Sequence, residues 1–152
     1  MNQTSKNFSM KNSKITVVIK TIDINSSKMS FKRLSGDIYI NGLRSFGIDE
    51  IPGEHKKSMI CKNMITEISV IWDSKKIKFT ERNLHFFFNV PLKWGISTSM
   101  RPSHPGNIIF IPSINGDSFI LSIGGGDGAA SFTAWWVIRK EGVVSVCVEE
   151  AL

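Results

Sequence analysis

The sequence has little cysteine, no long apolar run and no gathering of metal ligands, and each shortage excludes a class of protein. Its two cysteines, Cys61 and Cys147, stand far apart, with no Cys-x-x-Cys or Cys/His spacing around either. That rules out a zinc finger and a disulfide-knit scaffold, and it makes buried free thiols the expectation. No segment approaches the roughly 20 apolar residues of a membrane helix. The polar residues 1–13 do not read as a secretory signal, so a soluble, cytoplasmic protein without a membrane partner is expected. Gly-x-Ser-x-Gly, His-x-His and His-x-x-x-His are all missing. No catalytic residue, metal or cofactor is therefore expected.

What charge there is lies unevenly. The net charge is +6, with 15 Lys or Arg against 8 acids in residues 1–82 and 4 against 5 in residues 83–152. Such an excess can attract nucleic acid, an acidic protein or an anionic surface. The lysines are single or paired, as in Lys56-Lys57 and Lys75-Lys76, and a solvated surface is the plainer reading. With 152 residues, 41% of them hydrophobic, the chain suits one domain. Residues 1–13 read as a flexible tail, because apolar side chains are too few there to offset the entropy of ordering. Residues 14–152 read as a single β-rich domain.

The most legible stretch is residues 107–148. Four runs rich in β-branched and aromatic residues are separated by Asn115-Gly116-Asp117, by residues 124–128 and by Lys140-Glu141-Gly142. That is the pattern of a meander of antiparallel hairpins. In its third run Phe132, Ala134, Trp136 and Ile138 share one face and Thr133, Trp135 and Val137 the other. Both faces are apolar, so a central strand covered on both sides is expected.

Upstream, residues 15–24 form a strand in which Ile15, Val17 and Ile19 give way to Ile22 and Ile24. A one-residue change of phase predicts a β-bulge near Lys20-Thr21. Residues 34–41 read as the next strand, closed by Asn41-Gly42. Residues 43–58 read as a long irregular connection, and residues 92–106 as a second one. Residues 64–72 form a strand that turns at Asp73-Ser74 into a lysine-protected edge strand, Lys76 to Phe79. The spacing of Leu84, Phe87 and Phe88, with Thr80 as cap and Pro91 beyond, predicts one short α-helix over residues 81–89. The expected fold is mainly β: an antiparallel sandwich or curved sheet with a C-terminal meander and that helix.

Candidate chemistry is sparse. Gly124-Gly125-Gly126-Asp127-Gly128 superficially matches a phosphate-cradling loop, but such loops open a helix, and here a strand follows. A glycine-rich hairpin connection is the better reading. His55, His85 and His104, with Lys57 or Lys93, are the raw material of a ribonuclease or other hydrolase, yet none has a partner in a local signature. Trp135 to Lys140 holds the residue types of a single-strand nucleic-acid binder, but adjacent tryptophans on a strand point to opposite faces, so at most one could stack on a base. The residues best suited to protein contact are Asp49, Glu50, Glu54, Trp94, Arg101, His104, Asp127 and Trp135, drawn from two long loops, the glycine connection and the meander. Trp94 has a structural alternative, as a plug at the edge of the core.

The glycine-aspartate hairpin running into Ser131-Phe132-Thr133-Ala134-Trp135-Trp136, within a small chain rich in Asn, Lys and Ile, resembles the immunity proteins encoded beside bacterial contact-dependent or polymorphic toxins. The resemblance covers the general character of residues 14–148 and carries no signature residues. It implies a cytoplasmic, non-enzymatic protein that binds one cognate toxin domain, often a nuclease, and covers its active site. Inhibitors of basic nucleases are usually acidic whereas this chain is basic, so the implied contact falls to Asp49, Glu50, Glu54 or Asp127. A basic single-stranded nucleic-acid-binding module is the alternative, and an uncharacterised ribonuclease the third.

Overall fold

Alternation of apolar and polar residues is what makes this chain a set of strands. In β2 (Ser13–Asp23) Ile15, Val17 and Ile19 are buried, while Lys14, Thr16, Val18 and Lys20 lie on the other side. In β6 (Asn63–Trp72) Ile68, Val70 and Trp72 are buried, and Glu67 and Ile71 face away. The computed structural model describes residues 2–23, 29–48, 51, 63–80, 84, 86–95, 107–126 and 130–150. Within them the strands form three sheets.

The first sheet holds β1 (Asn2–Met10), β2, β6 and β7 (Lys75–Lys78), in that order. The second holds the C-terminal meander β10 (Asn107–Pro112), β11 (Ser118–Gly125), β12 (Phe132–Arg139) and β13 (Gly142–Glu150), with the short β9 (Lys93–Trp94) beside β10. The third holds β3 (Phe31–Leu34), β4 (Asp37–Ile40), β5 (Leu43–Phe46) and β8 (Phe86–Phe87). Pairing is antiparallel except for two short parallel contacts, β5 with β8 and β9 with β10.

The first two sheets pack face to face as a sandwich. Ile15, Val17, Ile19, Ile68, Val70 and Trp72 meet Phe119, Leu121, Ile123, Phe132, Ala134, Trp136 and Ile138 in one continuous core. Full burial of side chains of this size contributes roughly 2–3 kcal/mol each. Two chains of rings run through it. Trp94, Phe8, Phe110, Phe119 and Trp72 are linked by centroid distances of 5.6, 4.0, 4.7 and 5.5 Å. Phe79, Trp136, Phe87 and Phe132 follow at 5.5, 5.5 and 5.1 Å. The third sheet enters this core through Phe46 and builds a smaller one from Ile38, Ile40, Ile48 and Phe88.

Several expectations need correction. Residues 2–10 are a strand paired along its length with β2, and they are no flexible tail. Phe8 and Met10 suffice because both sit on the inner face, where Met10 is buried and Phe8 packs on the core. The helix expected over residues 81–89 does not include residues 86–89. Leu84 is helical and donates to the Thr80 carbonyl at 2.9 Å, but Phe86 and Phe87 form β8; residues 81–83 and 85 lie outside the described residues. Phe87 enters the main core and Phe88 the smaller one; neighbours that must face opposite ways need a strand.

Residues 34–41 are two strands rather than one, because Ser35 and Gly36 both adopt positive φ and turn the chain into a β3–β4 hairpin. Leu34 is left 47% exposed. Part of the connection expected at residues 43–58 is β5, and part of that expected at residues 92–106 is β9. Cys147 is an exposed free thiol, not a buried one.

The bulge expected at Lys20-Thr21 is there, with a twist of assignment. The register runs Lys20 to Glu67 and then Thr21 to Ile65, so the extra residue is Thr66 on β6. Burial on β2 accordingly keeps its phase through Thr21, and β6 changes phase between Ile65 and Ile68. Among the described residues no helix is long and apolar enough to cross a membrane.

Candidate functional site: the outer face of the meander

Strand β12 lies between β13 and β11, one strand in from the edge of the five-stranded sheet, and its two faces differ. Phe132, Ala134, Trp136 and Ile138 are buried against the first sheet. Thr133, Trp135 and Val137 point the other way and are only half-buried. The expected coverage of both faces is therefore incomplete.

Register fixes the neighbours of Trp135. It lies between Ser122 on β11 and Cys147 on β13, and next to it Val137 lies between Ile120 and Ser145. Farther across the same face, Ile109 and Ile111 of β10 are opposite Ser122 and Ile120. Ile109, Ile111 and Ser122 are buried, Ile120, Trp135 and Val137 half-buried, and Ser145, Cys147 and Glu149 exposed. An apolar strip thus runs outward from β10 and surfaces at Trp135, with a polar margin along β13. A bulge roughens that margin: Val137 pairs with Ser145 and Ile138 with Val143, which leaves Val144 unpaired and 57% exposed.

Trp94 is elsewhere and does something else. It packs half-buried on the core beside Phe8, and its Nε1–H donates to Thr4 Oγ1 at 2.8 Å. The plug reading fits it. With β10 and β11 between β9 and β12, Trp94 and Trp135 do not share a surface. Asp49, Glu50, Glu54, Arg101, His104 and Asp127 lie outside the described residues, as do His55, His85 and Cys61. Gly126 and Ala130, which flank that Asp127 segment, sit at the end of the sandwich where β11 finishes and β12 starts.

At the opposite end the structure gathers groups that the sequence had scattered. Asp73, in the β6–β7 turn, accepts from the Lys14 N–H at 2.8 Å, Ser13 Oγ at 3.0 Å and Lys140 Nζ at 3.3 Å. Three hairpins from both sheets are tied by one carboxylate. These bonds, the Lys14 amide first, hold its carboxyl below the ordinary aspartate value. The β10–β11 turn ends nearby with Ile114, 97% exposed. Glu67 behaves similarly on the outer face of the first sheet, where its hydrogen bond to Lys20 lowers it most, burial opposes and Lys78 assists.

Arg44 ties the third sheet to β13. Its Nη2 donates to Asp37 at 2.9 Å and to both Glu150 oxygens at 2.6 and 2.7 Å, and its guanidinium lies 4.7 Å from the Phe46 ring centroid. Only alternation along β4 and β5 could have announced this cluster, and the pairing partner Glu150 is more than a hundred residues away. Among the described residues no three His, Cys, Asp or Glu side chains gather as metal ligands. Comparison with protein-family models, curated proteins and solved structures finds no match to this chain. The molecule is placed by its architecture alone, as a mainly β protein with antiparallel sheets.

Proposed function

We propose that this chain is a non-enzymatic binding protein of the immunity type, which neutralises a cognate bacterial toxin domain by covering its active site. The observation that supports this reading is Trp135. A half-buried tryptophan on the outer face of an interior strand, near Ile120 and Val137 and bordered by Ser145, Cys147 and Glu149, has the make-up of an interface: an aromatic anchor, an apolar surround and a polar rim. The opposite side of the same strand is fixed in the core by Phe132, Trp136 and Ile138, so little conformational entropy is lost when a partner docks.

The test is co-expression with the toxin domain encoded beside the gene. The intact chain restores growth that the toxin arrests. Trp135→Ala, which touches no core contact, weakens the complex about 30-fold or more, as loss of a central anchor does. A toxin neutralised equally well by Trp135→Ala, or a gene with no toxin-like neighbour, overturns the reading.

A further inference from the structure

The third sheet has an outer face with no role in either core. Along β3 and β4 every second residue belongs to it: Ser30, Lys32 and Leu34 on one side, Tyr39 and Asn41 on the other, with Gly42 at the turn. They line an open groove of about 460 Å³. That volume lies within the range of small-ligand sites. Lys32 and Tyr39 are direct cross-strand partners.

The reverse face of the same hairpin is anchored, since Ile38 and Ile40 are buried with Phe88, and Phe31 packs on them. The platform is therefore held rigid from behind. Among the described residues the lining supplies a phenol ring, an apolar side chain, a cation, a hydroxyl and a carboxamide, and no carboxylate. Asp37, the acid nearest in sequence, is held by Arg44 at 2.9 Å. The groove also lies in the half of the chain that carries 15 Lys or Arg against 8 acids, whose field draws anions.

We propose that this groove is a nucleotide subsite, independent of the Trp135 surface, in which the base lies against Tyr39 and Leu34 while Lys32 takes the phosphate. Ser30 and Asn41 supply donors and acceptors for the edge of the base. Sheet-borne aromatics beside basic side chains recognise bases and phosphates in this way. The nucleotide can be free or one unit of a single strand, and the two sources share the same ring and phosphate.

Tyr39 is the only tyrosine in the chain, so selective tyrosine labelling gives one set of ring signals that report on the groove alone. Titration of the full chain with adenosine monophosphate, with a short single-stranded oligoadenylate and with inorganic phosphate separates the cases. Saturable upfield shifts of the Tyr39 ring are expected with a nucleotide and not with phosphate. Equal affinity for both nucleotide probes identifies a free nucleotide. Tighter, salt-sensitive binding of the oligoadenylate identifies a strand. Lys32→Ala, an exposed position that leaves folding intact, lowers the affinity about tenfold. No movement of the Tyr39 signals, the same shifts with phosphate alone, or an equal loss in Lys75→Ala on the distant β7 overturns the proposal.

Discussion

The side-chain carboxamide of Asn63 pairs with the backbone of Val90 as a neighbouring strand would. Its Nδ2 donates to the Val90 carbonyl and its Oδ1 accepts the Val90 N–H, both at 2.9 Å. Around it, the Asn89 N–H donates to the Asn63 carbonyl, the Gly126 N–H to the Asn89 carbonyl, and Asn89 Nδ2 to the Gly47 carbonyl. Two asparagines thus join the segment after β8 to β5, β6 and β11, where no regular ladder reaches. Asn63→Ala leaves both Val90 groups without these partners and is expected to cost about 2–3 kcal/mol. For a chain of this length that lowers Tm by roughly 5–10 °C. Asn63→Asp keeps the acceptor for the Val90 N–H but sets a carboxylate oxygen against the Val90 carbonyl, so it should not rescue the loss. Urea midpoints with an unchanged slope give the answer, and a midpoint equal to the parent's for Asn63→Ala refutes it.

Adjacent tryptophans with opposite surroundings make a sharper contrast. Trp136 is fully buried against Phe79 and Phe87, whereas Trp135 is half-buried on the other face. Trp136→Ala is expected to destabilise by about 3–5 kcal/mol. Trp135→Ala should cost under about 1 kcal/mol, because it opens no cavity. Denaturation of the two variants under identical conditions tests this. Similar losses would mean that the outer face is packed as tightly as the core.

The meander was legible because its period-two pattern, its Gly-containing turns and its length all agreed, and all four strands occur within a residue or two of the expected positions. The bulge beside Lys20-Thr21 falls where the sequence pointed but not for the reason read there: the extra residue is Thr66 on β6, while β2 keeps its phase and Ile22 is left exposed. Residues 86–88 were misread because Leu84, Phe87 and Phe88 satisfy a helical spacing equally well. Only the presence of two cores, one for each adjacent phenylalanine, decides for a strand, and no local pattern contains that information. Strand β1 was missed because it is an edge strand whose outward side chains are Gln, Ser and Asn, so composition alone looked unfolded. Of the candidate site, Trp135 was legible as an aromatic on the second face of its strand. The Tyr39–Lys32 groove was not, because it exists only once Ser35-Gly36 is recognised as a turn.

The Asp73 carboxylate ties three hairpins, and that makes the sandwich sensitive to acid. Its carboxyl is held below the ordinary value chiefly by the Lys14 N–H, then by Ser13 and Lys140. A carboxyl whose folded value is depressed stabilises fully above its unfolded value and loses that contribution as pH falls through the folded one. Glu67, lowered by Lys20 and Lys78, acts in the same sense. Stability should therefore hold from neutrality to about pH 5 and decline below about pH 4. In Asp73→Asn the decline should be shallower, since one of the depressed groups is gone. Urea midpoints measured at neutral pH and near pH 3 compare the two. Parallel declines would show that Asp73 titrates alike in folded and unfolded chains.

Residues 2–10 provide the most direct test of the architecture, because a flexible tail and an edge strand predict opposite results on removal. Phe8 stacks on Phe110 at 4.0 Å with the rings 8° apart, Met10 is buried, and Thr4 accepts the indole N–H of Trp94 at 2.8 Å. Deleting residues 1–11 bares Phe110, Trp94 and the hydrogen-bonding edge of β2 together. Lost burial of Phe8 and Met10 amounts to about 2–3 kcal/mol each, before any loss of the β1–β2 ladder is counted. Against a typical total of about 5–15 kcal/mol, the shortened chain should be marginal at 37 °C and prone to edge-to-edge association through β2. Amide exchange in the intact chain offers a check without truncation. The β1 amides that face β2 should be protected and those that face solvent should exchange quickly, an alternation that a frayed segment cannot produce. Uniform fast exchange over residues 2–10, with unchanged stability on deletion, would return β1 to the status of a tail and leave β2 as the true edge of the first sheet.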